Sequence, residues 1–383
     1  MCQRGVFTPI YHLEQKENKL LCQIIRPHDN CYVKLYVPMT IPMTIAPKKF
    51  TLDMQITTHA LKVTNSDGRL VFKDAQKFLQ MQEKIYNFYS LDKLCTIYDV
   101  YNIESAVIGQ KINYYVNDLP VIDQSDIIIK EKKDIYKIKN LDFSNNERSK
   151  FVLNFIDLYK EKYEENYKPR FCGPFSLAAN LRGYGNLIND IYDDKKFVNE
   201  FFKVINNEIL TPRIDLQRER TGTKDIICSG ADAWVAVPNV NLDILNNFIL
   251  PNYSDLKDLN GNIYFSILGG ARFLKNPIEF LKIQKELNPF LVKGFDPDVE
   301  ILGPDIFLEF ANANNMDLLL GIDPNLLYDD LAKIFKRINS YINSGLKTKQ
   351  RFTLYFNDVP QDIKPEKFSK IIKYIKNIRS DLS

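Results

Sequence analysis

Several features of common protein classes are missing from this chain of 383 residues. No apolar run approaches the roughly 18–20 residues that a membrane-spanning helix requires, and the N-terminal segment lacks the apolar core of a secretory signal. Lysine plus arginine number 51 and aspartate plus glutamate 48, so the formal net charge of +3 gives no electrostatic basis for binding nucleic acid or an anionic membrane. We therefore expect a soluble, cytoplasmic protein with neither nucleic acid nor a membrane as its partner.

Histidine and cysteine are also scarce. An even count of six cysteines in a large chain without a secretory signal does not imply a disulfide framework. Cys95, Cys172 and Cys228 lie in apolar runs, which is typical of small core residues. The one metal-like cluster is Cys22, His28 and Cys31. It lacks a fourth ligand, and an ordinary surface loop is the alternative interpretation.

Strand-like runs alternate with helical patterns along the chain. Short apolar runs occupy residues 31–39, 95–101, 168–174, 225–232, 262–270, 289–297, 317–323 and 351–358. Runs this apolar suit strands that are buried on both faces, as in parallel sheets, and amphipathic stretches of helical length separate them. Eight such units predict a (β/α)8 TIM barrel, for which roughly 250 residues is typical. The alternative is an open doubly wound sheet, but no glycine-rich dinucleotide fingerprint follows the first strand.

Length alone, at roughly 150 residues per domain, suggests two or three domains. The barrel takes up most of the chain instead. We predict that residues 1–80 form an N-terminal extension that packs on the barrel and includes the first strand near 31–39. Residues 81–383 would form the barrel, with a hairpin-rich insertion at 114–143.

Aspartates stand at five of the eight predicted strand ends, where (β/α)8 barrels form their active sites. They are Asp99, Asp232, Asp296, Asp323 and Asp358. The alternative is structural, because every βα loop delivers a helix start and aspartate is a preferred N-cap. Several carboxylates at one barrel mouth would shift each other's pKa and suit proton transfer.

Two glycine-containing turns could bind an anion. In FCGPFSLAANLRGYG (171–185), the backbone N–H groups from Phe175 to Leu177 open a helix and could hold a carboxylate. Ser176 would add a hydroxyl and Asn180 an amide; alternatively, Gly-Pro only shapes the turn. In SILGGARF (266–273), Arg272 could pair with a substrate carboxylate.

The segment FCGPFSLAANLRGYGNLINDIYDD (171–194) resembles the uroporphyrinogen decarboxylase superfamily, whose members carry a G-P-F-[ST]-L-A-A-x-L-x-G turn-helix before an acidic stretch. The similarity extends back to 98–112 and forward to 230–253, 318–327 and 357–368, so it covers roughly residues 85–380. The superfamily includes the decarboxylase of haem biosynthesis and methyltransferases that act on corrinoid proteins. The resemblance implies a (β/α)8 barrel in which Asp99 and Asp232 are catalytic.

The chain departs from both family patterns. Zinc-dependent methyltransferases carry His-x-Cys at the fifth strand end and a later cysteine at the eighth, where this chain has Ser266, Leu268 and Asn357. We therefore expect no metal site of the family type and no tightly bound cofactor. The decarboxylase's arginine-rich stretch is absent, and its tyrosine and histidine look replaced by Asn180 and Asn357. We expect Ser266, Asp296 and Asn357 to bind substrate.

Three functions stay open. One is a divergent methyltransferase that moves a methyl group between a small substrate and a corrinoid presented by a partner protein, without the family zinc. Another is a decarboxylase of uroporphyrinogen or another carboxylated substrate, with Asp99 stabilising a protonated intermediate; the shortage of recognisable cationic groups counts against it. The third is a non-catalytic binding barrel.

Overall fold

The computed structural model describes residues 11–16, 19–24, 34–37, 50–163, 167–267 and 269–382. The chain divides into two compact units, residues 1–48 and 49–383. The first unit contains an antiparallel sheet of three strands in the order β1 (Tyr11–Lys16), β2 (Lys19–Ile24) and β3 (Lys34–Val37).

Parallel strands form the framework of the second unit. They are β4 (Thr51–Met54), β7 (Arg170–Cys172), β8 (Cys228–Asp232), β9 (Ile263–Ile267), β10 (Leu291–Phe295), β11 (Asp317–Ile322) and β12 (Phe352–Phe356). They pair in two parallel sheets, ordered β10-β11-β12-β4 and β7-β8-β9. The short strands β5 (Ile112–Asn113) and β6 (Val121–Ile122) form an antiparallel hairpin within the predicted insertion.

Helices follow or separate almost every strand of this unit. They are α1 (Thr57–Val63), α2 (Gly68–Val71), α3 (Ala75–Tyr89), α4 (Ile103–Ile108), α5 (Glu147–Tyr163), α6 (Pro174–Arg182), α7 (Tyr184–Asp193), α8 (Lys195–Val204), α9 (Thr211–Thr221), α10 (Leu242–Ile244), α11 (Leu250–Asn260), α12 (Pro277–Leu287), α13 (Asp298–Leu302), α14 (Pro304–Asn314), α15 (Leu331–Gly345) and α16 (Pro365–Asp381). Asp74, Asp194 and Asp330 cap the N-termini of α3, α8 and α15 by accepting hydrogen bonds from backbone N–H groups. None of the described helices has the length and apolarity to cross a membrane.

The two faces of the parallel strands differ in exposure. In β8, β9 and β12 the first, third and fifth residues are buried and the intervening ones partly exposed, which is the period of two of a strand. The buried face packs against helices. The partly exposed face, which we call the inner face, carries Arg170, Ser266, Lys293 and Tyr355. Side chains from both sheets meet there, because Lys293 of β10 donates a hydrogen bond to Ser266 of β9.

The predicted alternation of strands and helices is confirmed, and two details differ from the prediction. Lys34–Val37 is a strand, but it pairs antiparallel with β2, and the strand beside β12 is Thr51–Met54. Residues 95–101 form no described ladder, and Val100–Asn102 is a 3-10 turn. The compact units divide after residue 48, and the pairing of β4 with β12 places Thr51–Met54 in the larger unit, while an N-terminal extension over residues 1–80 stays a prediction.

Candidate functional site

Asp232 lies at the end of β8 with its side chain among the helices. Its carboxylate accepts hydrogen bonds from the backbone N–H groups of Phe175 (3.0 Å) and Ser176 (2.8 Å) at the start of α6. The hydroxyls of Ser176 and Tyr253 donate to it as well. Burial raises the pKa of Asp232 to about 6, although these hydrogen bonds oppose the shift. The predicted anion site at Phe175 and Ser176 is therefore occupied by the protein's own carboxylate.

Asp99 is also engaged within the protein. Its buried carboxylate forms an ion pair with Arg148 of α5 and accepts a hydrogen bond from the amide of Asn102 at 2.9 Å. Burial raises the pKa of Asp99 and outweighs the opposing effect of Arg148. Arg148 also donates to the carbonyl of Phe72, so the pair ties residues 72, 99 and 148 together. The structure thus places Asp99 in a buried ion pair, and a catalytic role for it stays a prediction.

Two other predicted binding residues have partners that a substrate would have to displace. Asp296 accepts hydrogen bonds from Arg337 (2.8 Å) and Tyr341 of α15, and it is buried against that helix. Burial raises the pKa of Asp296, and these two partners lower it. Arg272 donates to Asp298 at 2.6 Å. Asp296 and Arg272 are thus engaged within the protein, and their binding of a substrate stays a prediction.

The remaining polar candidates divide between structural and accessible positions. Asn180 is buried, and its amide donates to the carbonyl of Tyr101 at 3.2 Å. Asp323 accepts from the N–H of Asn325 at 2.7 Å, as the N-cap interpretation predicts. Asn357 follows β12 at the position after Phe356 and is partly exposed. Ser266 stands on the inner face.

His59 of α1 is a buried histidine with structural contacts. Its imidazole contacts the hydroxyl of Tyr89 at 2.8 Å and the carbonyl of Pro360 at 3.1 Å, and its ring packs on Phe368. Burial lowers the pKa of His59, so the neutral form is favoured. The predicted cluster of Cys22, His28 and Cys31 cannot be placed, because these side chains lie outside the described residues, as does Leu268.

A buried acid that the sequence reasoning did not single out is Glu104 of α4. Its carboxylate lies 3.8 Å from Arg213, and both side chains are fully buried. Burial raises the pKa of Glu104 to about 7, with Arg213 opposing the shift. The contacts of Arg213 with Glu104 and with Ser149 (3.2 Å) lie among α4, α5 and α9, on the helical side of the strands.

The inner face carries two cations that the sequence reasoning missed. The guanidinium of Arg170 of β7 makes no hydrogen bond and no ion pair with any residue that the structure describes. Lys293 of β10 donates to the hydroxyl of Ser266 and likewise forms no ion pair with the described residues. Burial and the nearby Arg170 lower the pKa of Lys293 to about 8, and Asp53 opposes that shift. Two cations that interact with each other and pair with no carboxylate of the described residues are a candidate site for an anion.

Tyr355 lies close enough to Arg170 and to Asp358 to interact electrostatically with both. Tyr355 of β12 is paired in register with Asp53 of β4, and its ring centroid lies 6.1 Å from that of Phe295. Burial raises the pKa of Tyr355, so its hydroxyl stays protonated and can donate a hydrogen bond. The buried Oδ1 of Asp358, two residues after β12, accepts no hydrogen bond from the part of the chain that the structure describes, and burial raises the pKa of Asp358 to about 6. A carboxyl group with this pKa can give or take a proton near neutral pH.

A signal for the two cations was present in the sequence. Arg170 and Lys293 each interrupt a run of apolar or small residues, in KPRFCGP and PFLVKGFDP. A charged residue in a strand buried on both faces has to be paired or functional. The described residues contain no group of three or more histidine, cysteine, aspartate or glutamate side chains that could hold a metal ion.

Comparisons with known proteins agree with this architecture. The family model described as uroporphyrinogen decarboxylase (URO-D) matches residues 55–212. Among solved structures, a methyltransferase from Methanosarcina mazei superposes with a TM-score of 0.65 at 12% sequence identity, covering 87% of this chain and 94% of that chain. No curated protein matches the sequence. The predicted resemblance to the uroporphyrinogen decarboxylase superfamily is confirmed, and the fold is of the mixed α/β type with parallel sheets.

Proposed function

We propose that this chain is a cytoplasmic enzyme that binds a small carboxylate substrate at Arg170 and Lys293. Its resemblance to the uroporphyrinogen decarboxylase superfamily supports this proposal. The reaction proposed is methyl transfer between that substrate and a corrinoid presented by a partner protein. The chain is divergent from the zinc-dependent members, because Ser266 and Asn357 cannot supply the thiolate ligands of a zinc site.

The free guanidinium of Arg170 carries this proposal. All other described arginines form an ion pair with a carboxylate or donate to a backbone carbonyl: Arg69, Arg148, Arg182, Arg213, Arg218, Arg220, Arg272, Arg337, Arg351 and Arg379. A largely enclosed guanidinium without an acceptor loses hydration without compensation. A substrate carboxylate that accepts two parallel N–H···O bonds from the guanidinium would compensate for this lost hydration.

The surrounding groups suit the handling of a small anion. Lys293 would supply the second positive charge, and Ser266 and Tyr355 would supply hydroxyl groups on the same face. Asp358 would donate a proton to the group from which the methyl departs, because its pKa of about 6 leaves a protonated fraction near neutral pH. A corrinoid on the partner protein would supply the cobalt that accepts or donates the methyl group.

Decarboxylation is the second candidate function, and the same two cations favour it. In the sequence, Arg272 was the arginine proposed to bind a carboxylate, and this shortage of cationic groups argued against a carboxylated substrate. Arg170 and Lys293 remove that objection for a substrate with one or two carboxylates. They do not favour uroporphyrinogen itself, whose many carboxylates would need more cations than this face provides.

We also propose that the two parallel sheets belong to one (β/α)8 barrel, with residues 95–99 as the eighth strand. Ile97 supports this placement, because its carbonyl accepts a hydrogen bond of 2.8 Å from Thr57, just after β4. The likeness to the methyltransferase fold supports it too. An experimental structure in which residues 95–99 pair with a parallel strand on each side would establish a closed barrel. A structure in which these residues pair with no strand would exclude it.

The function can be tested with purified protein and two readouts. Cob(I)alamin is mixed with a series of methylated small carboxylates, and visible absorbance reports methylcobalamin formation, while released CO2 is measured in parallel. Activity should fall by at least about a hundredfold in Arg170→Met, since a buried charge pair with substrate is lost. Arg351→Met, which removes an exposed arginine paired with Asp317, is the matched control and should keep full activity.

The outcome separates the candidates. Methylcobalamin formation that depends on Arg170 supports methyl transfer, and Arg170-dependent CO2 release supports decarboxylation. Carboxylate binding without either product would point to the non-catalytic barrel. Equal activity in Arg170→Met and wild type would show that the inner face cations are not the substrate site.

A further inference from the structure

We propose that Lys293 forms an imine with the carbonyl carbon of an oxo acid whose carboxylate is held by Arg170. The inference rests on the proposed carboxylate site and names its substrate class as small 2-oxo or 3-oxo carboxylates. It assigns to Lys293 a covalent role that goes beyond charge.

The position of Lys293 is the first argument. It is the only lysine within the seven described parallel strands, β4 and β7 to β12, and it stands on the inner face next to Ser266. Exposed lysines of this protein pair with carboxylates, as Lys132 does with Asp194 at 2.8 Å. The Nζ atom of Lys293 contacts only a neutral hydroxyl among the described residues, so no carboxylate competes with an incoming carbonyl group.

The backbone around Lys293 is held rigidly. Gln284 of α12 accepts a hydrogen bond from the N–H of Lys293 (3.3 Å) and donates one to its carbonyl (3.0 Å). The next residue, Gly294, is so closely packed that an added Cβ would lie 2.7 Å from a methyl group of Val299. The strand is therefore fixed between α12 and α13, and the amine is presented from an immobile base.

The electrostatic surroundings of Lys293 favour the reactive neutral amine. Burial and Arg170 lower its pKa to about 8, so about one tenth of the amine is unprotonated at pH 7. A lysine in a desolvated site beside another cation is the arrangement by which amines are activated for attack on carbonyl carbon. Arg170 thus has two effects: it lowers the pKa of Lys293, and its free N–H groups can bind the substrate carboxylate.

The reaction balances without an external oxidant or reductant. The Nζ lone pair of Lys293 attacks the carbonyl carbon, and the nitrogen passes one proton to the carbonyl oxygen through the adjacent Ser266 hydroxyl, which accepts a proton as it gives up its own. The resulting carbinolamine then expels its hydroxyl as water as the C=N bond forms. With a 3-oxo acid the imine accepts the electron pair of the bond to the carboxylate carbon, CO2 leaves, and protonation and hydrolysis regenerate the amine.

Reductive trapping tests the proposal on the whole chain. The protein is incubated with pyruvate or acetoacetate and sodium cyanoborohydride, and the adduct is located by intact mass and peptide mapping. We expect a single adduct on Lys293 and its loss in Lys293→Arg. The matched control is Lys257→Arg on α11, because Lys257 also has a lowered pKa yet donates to the carbonyl of Glu286 at 2.8 Å, and this variant should label as fully as wild type.

A second measurement distinguishes failure of the imine from failure of the carboxylate site. Propionate has the carboxylate but no carbonyl, and its binding is followed by calorimetry in wild type and in Arg170→Met. Propionate binding that needs Arg170, without a trapped adduct on Lys293, would overturn the imine and leave the proposed carboxylate site standing. Absence of both would overturn both. Circular dichroism of Lys293→Arg confirms that loss of labelling is not loss of fold.

Discussion

At the scale of single residues, the availability of a charged side chain depends on which face of its strand it occupies. Charged side chains on the buried face have structural partners, and those on the inner face are accessible. Asp232 and Asp296 share the parity of the buried residues of β8 and β10, so both point at helices and accept hydrogen bonds there. Arg170 and Lys293 have the opposite parity and face the partly exposed side. Sequence reasoning placed all strand-end aspartates at one mouth because it counted position along the strand and not the alternation of faces.

The carboxyl group of Asp358 provides a test of stability against pH. Its pKa is about 6 in the folded protein and ordinarily near 3.8, so the folded state binds the proton more tightly between these values. The free energy of unfolding therefore decreases as pH rises from about 4 to about 6. Asp358→Asn should remove this decrease and stabilise the protein by about 1–2 kcal/mol at pH 7, with little effect near pH 4.

Urea unfolding of both proteins at several pH values measures this effect. Asp255→Asn, which changes an exposed aspartate of α11, is the control and should leave the pH profile unaltered. A destabilised Asp358→Asn at pH 7 would mean that the charged carboxylate has a stabilising partner.

The lowered pKa of Lys293 leads to a second prediction about pH, which concerns the binding of an anion. Its amine is charged below its pKa of about 8 and neutral above it, and the charged groups that act on it are Arg170 and Asp53. A bound carboxylate raises this pKa, so affinity for propionate should decrease by about tenfold as pH rises from about 7 to about 9.5. Calorimetric titration checks it. In Lys293→Met the decrease should vanish; a variant that retained it would assign the titration to another group.

At the scale of secondary-structure elements, the start of α6 is joined to β8 by Asp232. The carboxylate accepts hydrogen bonds from two backbone N–H groups of that helix and from the hydroxyls of Ser176 and Tyr253. Gly173 permits this approach, since an added Cβ there would lie 2.4 Å from the Asp232 carboxylate. The conspicuous turn-helix sequence is thus explained by the packing of a carboxylate against a helix start.

Asp232→Asn should weaken this junction. The amide would direct an NH2 group at groups that donate hydrogen bonds, so we expect a loss of about 2 kcal/mol in the free energy of unfolding. Denaturant unfolding measures the loss. Asp194→Asn is the comparison, because asparagine caps α8 as well as aspartate does and the change should cost little. Equal effects of the two substitutions would argue against a special role for Asp232.

At the scale of the whole molecule, the larger unit carries its own core. Its buried hydrophobic side chains pack into two clusters within residues 50–383, and the first strand of this unit, β4, pairs with the last, β12. We predict that a fragment of residues 49–383 folds and unfolds cooperatively, as a compact unit with its own core does. Circular dichroism and urea unfolding of the fragment and the full chain check this. A fragment without a cooperative transition would show that residues 1–48 are part of the fold.

Some properties of this protein follow from the sequence alone. Apolar runs of strand length, separated by amphipathic stretches, were sufficient to predict the parallel α/β architecture and the positions of most elements. The reason is that the hydrophobic period of a strand or helix is a local property of the chain. The turn-helix at 171–194 was sufficient for the superfamily resemblance. The first strand of the parallel sheets was misplaced, because 31–39 and 51–54 have similar strand character and only pairing with β12 distinguishes them.

The tertiary structure decided which charges are available. Whether an arginine is free depends on every acceptor around it, and those acceptors come from distant parts of the chain: Asp99 meets Arg148, and Asp296 meets Arg337. The sequence contains the charged residues but not their pairing, because ion pairs between distant segments depend on how the helices pack on the strands. Among the described residues, that packing leaves the guanidinium of Arg170 without a hydrogen-bond or ion-pair partner near Lys293, and the candidate site therefore shifts from the acidic strand ends to two cations on the inner face.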